Sequence, residues 1–501
     1  MAKCPSCAGK QAGMAHKQGA GDTCGLLNAA FVFAGLAMML NIRLSYSSAP
    51  YALIRFQLPE NLFSVFVRRM ASALELWCLP SMLLGNIMEL ALKTYYKLDG
   101  YQADTGNNGG DNLVKGGDFR TPRLAKLIAI IAPSILTQWL NFLTYVILLV
   151  VYRGGGDQGH VTRFYFVIAI SGVVFGINMV LLYAADFNYL TVYIAGENCF
   201  PALTSFIHYL TTLMFGNRRK WNSDYVIVYI DIGVAIIISF VAAVLWTLAY
   251  GVYVDNSDTN ELKHIFTFGF TDTINEHMIS PFLMIVVGMG LVYAIYPGIA
   301  PGMIVPFYLI DKIEMVLLIA TIFPPMIVVI LQIVDKNSGY SATKHSPKYY
   351  GGWEEHSLRY WHIIDVLIVV KISLAAIFIY SLHYRESSLS RAIINQPKMS
   401  TFLSITFYMC HEFLLAIGFA GQISNAPEYV LIPQYIGALF MIFLAFYSEG
   451  YIIEYKSHDP DHWPTTGMTP WNAFCYCRKI PIKITNVNLS SFFTTDIKGV
   501  F

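Results

Sequence analysis

SPFLMIVVGMGLVYAIYPGIAPGMIVPFYLIDKIEMVLLIATIFPPMIVVILQIVD, residues Ser280–Asp335, is the stretch whose reading decides the fold. Its first arm, Phe282–Ile295, is apolar and uncharged, and it turns at Tyr296-Pro297-Gly298-Ile299-Ala300-Pro301-Gly302. The second arm continues to Val334 with a break at Phe323-Pro324-Pro325. Each run approaches the ~20 residues that a helix needs to cross a hydrocarbon core, so the two read as consecutive spanning helices. Between Val305 and Leu331 the only charges are Asp311, Lys312 and Glu314. Asp311 and Glu314, three apart, share one side of the helix. An ionisable side chain within a span is costly unless it faces a bundle interior or water, which makes both candidates for function. The alternative places Asp311 and Lys312 at headgroup level, with Glu314 alone inside.

Composition extends that reading to the whole chain. Of 501 residues, 55% are hydrophobic and 13% charged, against roughly 25% charged in soluble domains. Mean hydropathy is +0.51. The class is a polytopic, all-α membrane protein, with the lipid bilayer as its surroundings. A net charge of +1 gives no reason to expect a nucleic-acid partner. Residues 1–25 are polar, and the apolar run near Leu26 is expected to serve as an uncleaved first span. Cys78, Cys199 and Cys410 read as free thiols behaving as small apolar residues. Cys4-Pro5-Ser6-Cys7 and Cys475-Tyr476-Cys477 have zinc-compatible spacing, but an odd number of spans puts the two tails on opposite sides. No metal and no cofactor is expected.

About eleven spans follow in order: Leu26–Tyr46, Ser72–Leu92, Leu124–Tyr152, Phe164–Ala184, Tyr189–Phe215, Tyr225–Val252, the opening pair, Trp361–Tyr384, Phe402–Gln422 and Tyr429–Ile452. They group as six in 26–252 and five in 274–452, joined by 253–273 and followed by a polar tail, 453–501. Lys93–Arg123, rich in Gly, Asp and Asn, reads as a solvent loop without a core of its own. Lysine and arginine bias in the loops does not fix the orientation. The Asn488-Leu489-Ser490 triplet would report the side of the tail if glycosylated.

Polar residues inside the spans are the site candidates. Asn41, Gln138, Asn141, Asn178, Glu314, Lys371 and Glu412 lie at plausible mid-depth and suit contact with a polar solute in a cavity between helix bundles. Amides at such positions also serve as interhelical hydrogen-bond partners, and charges as structural ion pairs. Asp231, solitary in its span, and His411 beside Glu412 are candidates for proton coupling, and Asp311 for gating. Enzymatic activity is not expected. No nucleotide loop, nucleophile motif or metal-spaced His/Glu cluster occurs, and His411-Glu412 lacks the second histidine of a zinc-protease helix.

Several local stretches carry a resemblance. Gly35-Leu36 through Leu40-Asn41, Phe175-Gly176 followed by a span with Gly196 and Ala202, Tyr296-Pro297-Gly298, and Lys371 midway along the ninth span resemble the pattern of the equilibrative nucleoside transporter family. The likeness is to its apicomplexan branch, and to the Tpr-related membrane proteins of piroplasms. It implies a major-facilitator-like, six-plus-five fold in the plasma membrane, and facilitative movement of nucleosides or nucleobases by alternating access. The departures are specific. The family's first-span Trp aligns with Ile42, its nucleobase-contacting Gln with Val180, and its eighth-span Asp and Arg with Leu318 and Ile322. They leave two alternatives open: a carrier of another small polar solute, proton-coupled through Asp231 or Glu314, and a protein that keeps the fold without transporting.

Overall fold

The computed structural model describes residues 25–38, 55–56, 63–103, 113–118, 120–154, 158–217, 220–252, 265, 267, 276–337, 347, 353, 359–426, 429–458 and scattered positions between 468 and 483. Asn41 lies outside the described residues, as do the side chains of Asp311 and Glu314.

The chain is all-α and multi-spanning. Its helices are α1 (Gly25–Met38), α2 (Phe63–Leu98), α3 (Arg120–Lys126), α4 (Ala132–Gly154), α5 (Gln158–Ala185), α6 (Leu190–Phe215) and α7 (Ser223–Thr247) in the amino half. The carboxyl half has α8 (Ile279–Ile295), α9 (Phe307–Ala320), α10 (Phe323–Asn337), α11 (Val366–His383), α12 (Ser388–Ile394), α13 (Pro397–Asn425) and α14 (Leu431–Ser457). Among the described residues, seven helical stretches are long and apolar enough to cross a membrane, Tyr225–Val252 and Pro397–Asn425 being two of them. Helices suit lipid because they satisfy their own backbone polar groups.

α4 displays the logic most plainly. Leu136, Leu140, Leu143, Ile147 and Val150 are exposed, whereas Ser134, Thr137, Gln138, Asn141, Thr144 and Tyr145 are buried. The helix is apolar outward and polar inward, the inverse of a water-soluble amphipathic helix.

Lipid offers no hydrophobic drive to bring helices together, so close approach depends on small residues. In α5, Gly172 and Gly176 are one turn apart and lie directly against the backbone carbonyls of Leu74 and Cys78 in α2. Gly35 of α1 and Gly196 of α6 do the same for a second crossing, against Tyr193 and Val32. A Cβ at any of the four would collide with main chain.

The stretch around Pro297 folds as its composition dictates. α8 stops at Ile295, and Tyr296, preceding a proline, takes the extended conformation (φ −93°, ψ 142°) that such residues favour. Turns closed by Gly302 N–H to Pro297 O (2.9 Å) and Val305 N–H to Pro301 O (2.8 Å) lead into α9. The expected break at Phe323-Pro324-Pro325 separates α9 from α10, with both prolines in the first turn of α10, where no intrahelical N–H is needed. α12, which no pattern predicted, is started by Ser387, whose hydroxyl accepts the Ser390 N–H at 3.1 Å.

The first span is described over Gly25–Met38, and its expected continuation to Tyr46 lies outside the described residues. One expectation is corrected: the Lys93–Arg123 segment is not a coreless loop. α2 runs on to Leu98, β1 (Gln102–Ala103) pairs antiparallel with β2 (Leu113–Val114), and Tyr96, Tyr101 and Leu113 pack against Leu92 and Ala125. Three scattered apolar residues set no period, so the pattern was invisible in sequence. Gly100, Gly116 and Gly117, at positive φ, supply the turns. The connection between the halves is fastened to this cap: Leu113 N–H donates to Thr267 Oγ1 (3.1 Å), and Ile265 is buried against Leu127.

Most helix packing stays within a half: α2 on α5, α1 on α6 and α7, α4 on α5 and α7, then α8 on α13 and α14. The halves meet along a seam where α2 and α5 touch α14, and α6 touches α9, α10 and α13.

Candidate functional site

Two polar layers contain most of the expected residues. The first lies inside the amino half. Thr137 donates to Asn178 Oδ1 (2.9 Å), and the Asn178 amide reaches Met38 Sδ at 3.7 Å. Asn141 Nδ2 (3.4 Å) and the Tyr145 hydroxyl (3.3 Å) both donate to the Ala37 carbonyl. Both side chains of α4 thereby fasten that helix to the backbone of α1. Trp246 Nε1 donates to Ser134 Oγ (2.8 Å) and ties in α7. Asn141 and Asn178 are thus brought together and committed to protein partners. Gln138, on the same face of α4, is buried, and neither of its amide atoms has a partner among the described residues.

The second layer lies at mid-depth in the carboxyl half and reaches the seam. Lys371, fully buried on α11, donates to the Gly288 carbonyl of α8 at 2.5 Å, and its ammonium lies 5.2 Å from the Phe407 ring centroid. His411 Nδ1 is 2.8 Å from the same carbonyl. A carbonyl only accepts, so Nδ1 carries the proton. Lysine and histidine therefore bind α11 and α13 to one point of α8. Glu412, the next residue on α13, points the other way, about 100° around the helix. Its Oε2 accepts from Asn198 Nδ2 of α6 at 2.7 Å, a charge-assisted bond across the seam. Rings close the seam nearby: Tyr183 of α5 is 5.7 Å from Phe419 of α13 and 5.5 Å from Tyr193 of α6.

Asp231 is not solitary. His208 Nδ1 of α6 lies 2.6 Å from its Oδ2. The pair sits about 10 Å, at 1.5 Å per residue, from the turn between α6 and α7. Asp311 and Glu314 occupy α9, one of the seam helices.

A third cluster, at the rim of the amino half, was not foreseen. Glu89 and Lys93, one turn apart on α2, form a 2.8 Å ion pair. Lys126, Arg123 and Asp186 are buried there too. Glu89, Lys93, Lys126, Tyr96 and Thr267 line a narrow crevice that opens to solvent. The i,i+4 spacing of Glu89 and Lys93 was readable; the burial was not, because loop lysines ordinarily face water. Outside the membrane, Asp118 accepts from the Arg120 and Thr121 N–H groups (3.0 and 3.3 Å) and from the Tyr101 hydroxyl (2.9 Å). A hydrogen bond from the Thr121 side chain foremost, with these N–H and hydroxyl bonds behind it, holds its carboxyl below the usual range. Burial, then the Asp118 carboxylate, pushes the Tyr101 hydroxyl up.

Sequence reasoning also missed Gln422, Gln434 and His208. The two glutamines carried the signal that singled out Gln138, an amide within an apolar run. What the arrangement can do chemically is offer neutral and charged hydrogen-bonding groups at a helix–helix seam; among the described residues no His/Cys/Asp/Glu group could hold a metal ion. No family model matches the chain, and no curated protein matches it.

Proposed function

We propose that this membrane protein is a solute carrier that works by alternating access, with nucleosides or nucleobases as its first candidate cargo. In this reading α1–α7 and α8–α14 are the two rocking units of a major-facilitator-like fold with eleven spans, six plus five, in the plasma membrane. The observation that carries it is the Glu412–Asn198 bond, a partly buried charged hydrogen bond between the halves, with Lys371 and His411 in the same polar layer. A bond of that kind breaks and remakes without unfolding either half. Asn41, Gln138, Asn141, Asn178, Glu314, Lys371 and Glu412 are the proposed solute contacts. Asp231 with His208, together with Asp311 and His411, is the proposed proton-responsive or gating set. The resemblance favours nucleosides. Leu318 and Ile322, standing where that family has its Asp and Arg, favour a different small polar solute with the same machinery.

Uptake of labelled adenosine and hypoxanthine by cells expressing the chain, with surface expression measured in parallel, tests the proposal. Saturable uptake of either supports the first cargo. No uptake of either by correctly delivered protein removes nucleosides and nucleobases, and a panel of other polar solutes at two pH values then tests the broader reading.

A further inference from the structure

α11 and α14 end at one level. The Tyr455 hydroxyl donates to the Leu382 carbonyl (3.1 Å) and accepts from the Arg385 guanidinium (3.1 Å), and the Tyr451 hydroxyl lies 2.7 Å from His383 Nε2. The apolar stretches Tyr360–His383 and Leu431–Tyr455 both finish there, so this is where the two helices leave the hydrocarbon. The carboxyl-terminal tail returns to the same level. Tyr476 donates its hydroxyl to Glu454 Oε1 at 2.7 Å, and Glu454 is one residue short of the end of the last span.

Around that anchor the tail is basic and aromatic. Met468–Lys483 contains Arg478, Lys479 and Lys483 and neither Asp nor Glu, while Asp459 and Asp461 fall before it. Trp471, Cys475, Lys479 and Ile482 are helical and lie four, four and three residues apart, the spacing of one helix face. All four are exposed, Trp471 by 71%. An indole facing water gives up the burial that a headgroup layer offers it. The neighbouring connection from α11 through α12 into α13 has the same character: between Tyr384 and Ser400, Arg385, Arg391 and Lys398 are exposed, against Glu386 as the one acid. Tail and connection thus contribute three basic residues each beside the ends of the two spans.

We propose that Met468–Lys483 is a membrane-surface anchor, with Trp471 and Ile482 in the headgroup layer and its bases on the phosphates of anionic phospholipid. The connection between α11 and α13 completes the binding face. Rings that insert and cations that reach phosphate are the two components of an interfacial anchor, and an anchor with both holds far better than one with either. The Tyr476–Glu454 bond sets the height, because it keeps the segment from lifting away from the last span. The charge chooses the partner: a stretch with three bases and no acid is drawn to an anionic surface and gains nothing from a zwitterionic one. The inference does not depend on whether the chain carries a solute.

The full chain is placed in nanodiscs of phosphatidylcholine alone or with about 30% phosphatidylserine, and amide hydrogen exchange is followed along 468–483. Phosphatidylserine is expected to slow exchange there at least about tenfold, and about 0.5 M NaCl to remove most of that slowing. Lys479→Glu combined with Lys483→Glu is expected to abolish it while exchange within α14 stays unchanged. Brominated phosphatidylcholine, added to the phosphatidylserine discs, is expected to quench the native fluorescence more than that of Trp471→Phe. Equal exchange in the two kinds of disc, slowing that survives salt or the paired charge reversal, or equal quenching of Trp471→Phe overturns the anchor. Slowing confined to discs that hold two chains makes a second copy the partner and overturns it as well.

Discussion

The contacts inside the amino half and the contacts across the seam are built differently. Within the half, α2 and α5 meet backbone to backbone at Gly172 and Gly176, and Asn141, Asn178 and Tyr145 each find a protein partner. Across the seam the halves meet through side chains: the Tyr183–Phe419 rings and the Glu412–Asn198 bond. The first kind of interface is set by main-chain contact that no rotamer change can relieve, even though Gln138 within the half is unpartnered. The second rests on side chains that can rearrange while the backbones stay where they are.

Substitutions can break or sharpen this contrast, in descending order of effect. Gly172→Leu should be the most damaging, because its side chain meets the Leu74 carbonyl and α2 cannot approach; the expected outcome is loss of the monodisperse peak in size-exclusion chromatography. Asn178→Leu, which removes the Thr137–Asn178 bond but leaves Thr137 the Ser134 carbonyl (3.0 Å) as acceptor, should cost about 1 kcal/mol in reversible detergent unfolding. Glu412→Ala and Asn198→Ala should couple by only about 1 kcal/mol in a double-mutant cycle, the usual scale for a polar pair between membrane helices. A larger coupling would mean that the seam is welded like the interior of the half.

The mildest case is Asp118→Asn, on the cap and away from both interfaces. The native carboxyl titrates below its ordinary range, so its contribution is complete above the unfolded-state pKa. It fades as pH falls through the lower folded-state value. Hydrogen exchange in 113–118 should therefore quicken on acidification in the native protein and lose that dependence in the variant.

The helical class and the limits of α8, α9 and α10 were legible in Ser280–Asp335, because charge-free runs and paired prolines act locally and their consequences do not depend on what packs against them. Gly172 and Gly176 were visible as letters, yet only the fold puts Leu74 and Cys78 against them. Asp231 looked solitary because His208 belongs to the neighbouring helix. The small core of the cap escaped for a different reason: it depends on three apolar residues too scattered to set a period. Lys371 was legible as a buried cation; that its partner is a helix carbonyl was not, since backbone acceptors leave no mark in a sequence.

Ile265 and Thr267 carry a mechanical consequence. By holding two points of the inter-half connection against Leu127 and Leu113, they bind that connection to the cap of the amino half, so a pull arriving along it is borne by Leu113 N–H and by the seat of Ile265 rather than by the helices themselves.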